Sequence, residues 1–189
     1  PYYNKPTQEG LFQHYKKIGD AVAIPQILYN VPGRTSVDML PETVQRLSTH
    51  KNIIGIKEAS GNKDRSMQLM KLCSENIQIF TGDDKTSMSD IIDGFSGNIS
   101  VTANVAPLEM HMMCKYAIER NLEKATEINS KIETLHDILF CESNPIPVKW
   151  CLNKMGLIKK GIRLPLTWMD EKYDESLNNA LIKTGVVNE

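Results

Sequence analysis

The stretch NIIGIKEASGN, residues 52–62, runs apolar through Ile53, Ile54 and Ile56 and then places Lys57 and Glu58 at its end. A few mostly β-branched residues, closed downstream by Ser60-Gly61-Asn62, read as a short strand covered on both faces, as in a parallel sheet flanked by helices. Strand side chains alternate, so Ile53, Gly55 and Lys57 are expected on one face and Ile54, Ile56 and Glu58 on the other. Lys57 is thereby placed at the carboxyl end of a buried strand, where α/β folds collect their chemistry. Two readings of it stay open. It is either a lysine that extends to the rim or pairs with a carboxylate, or an amine whose pKa is lowered by desolvation, leaving enough of it neutral to attack a carbonyl and form a Schiff base.

Around that strand, the first half of the chain alternates strand and helix. Residues 7–20 are expected to be helical, with Thr7 as N-cap, Gly10 at the third helical position, and Leu11, Tyr15 and Ile18 at helical spacing. Strands are expected at 25–30 (PQILYN), 77–84 (IQIFTGDD) and 97–103 (GNISVTA), with helices at 41–50 (opened by Pro41), 63–75 and 86–94. This repetition is the signature of a parallel sheet with right-handed crossovers. From Pro107 onward the pattern changes to helical segments near 107–120, 121–140, 145–155 and 170–184, which extend the α/β unit without an intervening linker.

Composition bounds the function. The 189 residues are enough for one domain with a sizeable core, and a 41% hydrophobic fraction suits a soluble globular protein. With 22 basic and 23 acidic residues spread along the chain, no basic field favours nucleic acid or an anionic membrane surface, and neither is expected as a partner. Cys73, Cys114, Cys141 and Cys151 form no CxxC pair and lie in helical-looking segments, which fits reduced thiols in the cytoplasm better than a disulfide framework. The four histidines are scattered, so no metal is expected. No apolar run approaches the roughly 18 residues of a bilayer span, and PYYNKP does not open a secretory signal.

Three loops at strand ends carry polar groups. YNVPGRTS (29–36) contains Pro32-Gly33, which suits the central positions of a type II turn and presents Arg34 just beyond it. An arginine fork there is well shaped for a carboxylate, although a surface ion pair is equally compatible with the residue. Tyr29 is either a packed aromatic or a proton relay. GDD (82–84) and GNIS (97–100) bring glycine where a ligand would need close approach by the backbone.

Taken jointly and in order, YNVPGRT, IIGIKEASGN, FTGDD, GNISVTANV and NPIPVKW make the chain, from Pro1 to about Leu181, resemble the dihydrodipicolinate synthases, class I aldolase-type enzymes of the pyruvate lyase superfamily. The resemblance implies a (β/α)8 TIM barrel with a C-terminal helical extension, usually a tetramer of two tight dimers. The implied activity condenses pyruvate with aspartate semialdehyde in lysine biosynthesis, with no cofactor beyond a covalent pyruvate imine on Lys57. Tyr29 then matches the proton-relaying tyrosine, and Arg34 the arginine that binds the aldehyde's carboxylate. Tyr3 matches a tyrosine reaching into the neighbouring subunit's site, and Tyr2 a contact of the lysine-feedback site found in some members. Gly82 and Ile99 match backbone groups lining the pyruvate pocket. Arg34 also separates the chain from the sialic acid lyase branch, which lacks an arginine at that turn.

On the same resemblance, residues 1–106 are expected to be the carboxyl-terminal part of the barrel, and 107–189 its last helix and the helical extension. Members begin roughly 100 residues earlier, supplying the first strands of an eight-stranded barrel and a pair of threonines in the relay. The chain is therefore expected to lack those amino-terminal strands, to leave an interior face carrying Ile27, Ile53, Ile79 and Ile99 without its opposite wall, and to be inactive alone. The alternatives are another pyruvate-dependent aldolase or lyase of the superfamily, and a non-catalytic remnant acting as an oligomerisation partner.

Overall fold

In the computed structural model, which describes residues 1–187, helix α1 (Gln8–Ala21) begins where the sequence places it, with the Gly10 amide donating to Thr7 Oγ1 at 3.1 Å. The described chain forms two compact units, one of residues 1–99 and one beginning at Ser100.

The first unit carries four parallel strands in the order β1-β2-β3-β4: β1 (Gln26–Asn30), β2 (Ile53–Glu58), β3 (Gln78–Thr81) and β4 (Gly97–Asn98). Between them run the single turn α2 (Pro32–Thr35), then α3 (Pro41–Leu47), α4 (Lys63–Cys73) and α5 (Ser87–Ile92). Leu28, Ile56 and Ile79 of the sheet are buried, as are Val44 and Leu47 of α3, Leu69 of α4 and Ile91 of α5. Each such side chain stabilises the unit by about 1.5–3 kcal/mol relative to exposure.

Strict alternation fails at one point on β2. Gln26 pairs with Ile53 but Ile27 with Gly55, so Ile54 is an extra residue against β1, a bulge. Ile54 is exposed while Ile53 and Ile56 are both buried, instead of Ile54 and Ile56 sharing one covered face. Beyond the bulge the two faces are distinct: Ile27, Tyr29, Gly55 and Lys57 on one, Leu28, Asn30, Ile56 and Glu58 on the other. Ile79 stands in register with Ile56, so the expected common face of Ile27, Ile53, Ile79 and Ile99 does not form.

Two further expectations are corrected. Pro32-Gly33 does not make a type II turn: Pro32 opens α2 with its preset φ, and the left-handed residue is Ser36 (φ 57°, ψ 21°) at the helix end. The strand expected over 97–103 stops after Asn98, and a 3-10 turn, Thr102–Asn104, follows. Gly97, the first residue of β4, sits at φ 153°, which only glycine adopts readily.

The second unit is helical: α6 (Pro107–Ile118), α7 (Leu122–Ile138), α8 (Ile146–Lys154) and α9 (Asp174–Lys183). Helix α7 packs on α6 and α9 around the buried Met113, Ala117, Ile132, Leu135, Leu177 and Leu181. Buried His136 lies 2.9 Å, through Nδ1, from Thr102 Oγ1. The four cysteines are free thiols, and burial pushes those of Cys73 and Cys151 up to about 11 and about 12. Among the described residues no helix is long and apolar enough to cross a membrane.

Candidate active site

Parallel pairing in register places Tyr29 of β1, Lys57 of β2 and Phe80 of β3 side by side near the carboxyl ends of the strands. Three backbone bonds hold those ends level: Ala59 N–H donates to Asn30 O at 2.9 Å, Gly82 N–H to Glu58 O at 2.7 Å, and Ile99 N–H to Thr81 O at 2.9 Å. Side chains emerging there are displayed by a rigid ladder.

Lys57 is half-buried, with Nζ 4.5 Å from the centre of the Tyr29 ring. Removal from water lowers its pKa from the ordinary lysine value; the Asp84 carboxylate pulls it up and the Arg34 guanidinium pushes it down. Asp84 is itself buried, and its Oδ1 accepts from Asn98 Nδ2 at 2.9 Å. Gly82 is where it is because of this lysine. A Cβ there would overlap Lys57 Cε and come 2.8 Å from Ala59 Cβ, so only a glycine lets the lysine stem lie across β3.

The structure thus brings together Lys57, Tyr29 and Gly82 in direct contact, with Arg34 and Asp84 near enough for their charges to act on the amine. Ile99 follows β4 and is tied to β3 through its amide. Tyr2 and Tyr3 are exposed; their rings meet edge-on at 5.0 Å, and Lys5 N–H donates to Tyr2 O. No contact described for either tyrosine joins it to Lys57.

On the opposite face lies a buried polar network that the motifs did not reveal. Glu58 accepts from Arg65 Nε at 2.7 Å, from Ser60 N–H at 2.9 Å and from Asn30 Nδ2 at 3.2 Å. Arg65 also reaches Asp38 Oδ1 at 3.2 Å and donates to Met39 O. The signal was present in the sequence: a carboxylate expected on a covered strand face cannot be left unpaired, and Arg65 stands within the helix that follows. Among the described residues no group of His, Cys, Asp and Glu side chains is arranged to hold a metal ion.

Against known proteins, residues 1–184 match the dihydrodipicolinate synthetase family, and the chain belongs to it. It is 58% identical over 187 residues to the 4-hydroxy-tetrahydrodipicolinate synthase of Pseudomonas putida and 55% to that of Pseudomonas aeruginosa, in each case covering 99% of this chain and 64% of the relative. A pyruvate-complexed, chloride-inhibited dihydrodipicolinate synthase from Acinetobacter baumannii superposes with a TM-score of 0.97 at 53% identity, over 99% of this chain and 64% of that one. The enzyme from Cyanidioschyzon merolae with lysine bound superposes at 0.93 with 33% identity, over 99% and 64%. The chain thus spans a little under two thirds of the length of these relatives. The matches give a share of length and do not support the expectation that roughly the first 100 residues and the barrel's amino-terminal strands are the part absent. What the chain shares with these neighbours is an α/β fold, seen here as a four-stranded parallel sheet with helices.

Proposed function

We propose that this member of the dihydrodipicolinate synthetase family is a Schiff-base-forming lyase, a 4-hydroxy-tetrahydrodipicolinate synthase that condenses pyruvate with L-aspartate 4-semialdehyde on the route to diaminopimelate and lysine. The observation that carries this reading is Lys57: a half-buried amine with depressed pKa at a strand end, lying over Tyr29, with Gly82 clearing its path. The curated relatives bear that activity as their name, and the Acinetobacter baumannii enzyme is a complex with pyruvate.

Desolvation lowers the pKa of the amine and so raises the share of it that is neutral and nucleophilic. Its lone pair attacks the ketone carbon of pyruvate, the ketone oxygen leaves as water, and an iminium links the substrate to Nζ. Loss of a proton from the adjacent methyl group gives an enamine, whose carbon forms the new bond to the aldehyde carbon. Tyr29 carries protons to and from the imine-bound intermediate, and Arg34 pairs with the carboxylate of the incoming aldehyde. Backbone at Gly82 and Ile99 lines the pyruvate position. No external cofactor takes part, because the covalent imine on Lys57 is itself the electron sink. In a homo-oligomer, a dimer or tetramer, Tyr3 serves the neighbouring subunit's relay. Tyr2 contributes to a lysine-feedback site, a role consistent with the lysine-bound relative from Cyanidioschyzon merolae.

The test is reductive trapping. Pyruvate and borohydride are added to the full chain, and the modified peptide is mapped by mass spectrometry. A stable adduct on Lys57, lost in Lys57→Arg, is expected; an adduct on another lysine, or none, overturns the reading.

A further inference from the structure

Arg34 stands in a short segment whose two ends are clamped to the same place. The segment leaves β1 at Asn30, makes the single turn α2, and returns through Asp38 and Met39. At the return, Met39 N–H donates to Asn30 Oδ1 at 3.0 Å, while Asn30 Nδ2 donates to Asp38 Oδ1 at 2.9 Å and to Glu58 Oε2 at 3.2 Å. Arg65 closes the same ring from below, through Nε to Glu58 Oε2 at 2.7 Å, through Nη1 to Asp38 Oδ1 at 3.2 Å, and through Nη2 to Met39 O. From α1, Gln8 Nε2 donates to Asp38 O at 2.7 Å, and Gln8 Oε1 accepts from Leu40 N–H and Thr43 Oγ1.

Glu58 is the residue next to Lys57, and the two side chains leave β2 on opposite faces. The ring therefore joins the backbone that carries the amine to the segment that carries the guanidinium. Asp38 is its hinge pin, because one carboxylate oxygen receives both Asn30 and Arg65 while the side chain remains 46% exposed. Asn30, Glu58 and Arg65 are buried and held by several bonds each. Asp38 is thus the member that can be changed with least damage to the core.

We propose that Asp38 is a positioning residue that, through Asn30, Glu58 and Arg65, sets where Arg34 stands relative to Lys57, and so governs use of the carboxylate-bearing aldehyde and not imine formation with pyruvate. The inference rests on the roles proposed above for Lys57 and Arg34. Without the Asp38 carboxylate, the segment loses its side-chain bonds to Asn30 and Arg65 and is held at its return by contacts to its backbone alone, and Arg34 samples positions from which its fork does not meet the carboxylate.

The experiment is a double-mutant cycle between Asp38→Ala and Arg34→Ala in the full chain, reading KM for the aldehyde, kcat, and the rate of borohydride-trapped imine formation with pyruvate. Asp38→Ala is expected to raise the aldehyde KM about tenfold, to leave trapping at Lys57 within about twofold of the unaltered rate, and to add nothing once Arg34 is already alanine. Asp38→Glu, which restores a carboxylate, is expected to recover part of the loss and serves as the second variant if Asp38→Ala does not fold. A full additional loss in the Arg34→Ala background, or an equal loss in trapping, overturns the inference while leaving the imine chemistry standing. Absence of any Lys57 adduct in the unaltered protein overturns both.

Discussion

Tyr29 and Lys57 are register partners on adjacent parallel strands, and the lysine nitrogen lies over the tyrosine ring at 4.5 Å from its centre. The face of an aromatic ring attracts a cation, so Tyr29 favours the ammonium and, in the proposed reaction, the iminium. Burial of the same amine acts in the other direction and lowers its pKa. The phenol hydroxyl is separate from both effects, which makes the two functions of one side chain distinguishable.

Tyr29→Phe retains the ring and removes the hydroxyl. Turnover is expected to fall by about 100-fold or more, the usual contribution of a positioned acid or base, while the pH at which Lys57 becomes reactive stays in place. Tyr29→Leu removes the ring as well, and the inflection is expected to move acidward because the ammonium loses its support. Borohydride trapping rates measured across pH compare the two variants; an unmoved inflection in Tyr29→Leu would show that the ring does not act on the amine.

The charges around Lys57 give a second pair of shifts with opposite signs. Asp84 raises the amine's pKa and Arg34 lowers it, so Asp84→Asn should move the trapping profile acidward and Arg34→Ala should move it alkaline. The asparagine keeps an oxygen for the Asn98 amide, which spares the local structure. For stability the sign is equally defined. A lysine whose pKa is depressed by folding opposes the folded state fully below that depressed value, and the opposition disappears as pH rises through it towards the unfolded value. Shifts of the same sign in both variants would refute this arrangement of charges.

At Gly82 the expected outcome is a functional loss larger than the structural one. The Cβ of Gly82→Ala overlaps Lys57 Cε and crowds Ala59 Cβ at 2.8 Å. The lysine stem can swing aside, which limits the destabilisation to about 1–3 kcal/mol. The amine is then misplaced, and trapping by pyruvate should slow by on the order of a hundredfold. Urea unfolding and trapping kinetics on the same sample separate the two, and an unaltered trapping rate would contradict the close packing of lysine on glycine.

Much of this arrangement is legible in the sequence because its causes are local. Thr7 caps α1, Pro41 and Pro107 open α3 and α6, and the β-branched run at Ile53–Ile56 makes a strand, each within a few residues of its physical reason. Lys57, Tyr29 and Arg34 were visible as a family pattern at strand ends. What escaped depends on partners far along the chain. The bulge at Ile54 arises from the register against β1, and Gly82 is required by a side chain on another strand. Pro32-Gly33 fits a turn and a helix start equally well, and the surrounding bonds select the helix, with Thr35 Oγ1 donating to Val31 O and Val37 O. The Glu58–Arg65 pair spans only seven positions, yet Asp38 and Asn30 complete it from β1 and the segment after it.

Because β2 turns Lys57 to its open face and Glu58 to its covered one, heredity can act on the two separately. Under the roles proposed for Tyr29, Arg34 and Ile99, substitutions around them would alter which carbonyl compound is accepted while the bonds beneath the sheet are left untouched. Changes at Asn30, Glu58 or Arg65 bear first on whether the polypeptide folds. A lineage carrying this strand is therefore free to explore new substrates one codon at a time, with the scaffold insulated from the trial by the thickness of a single sheet.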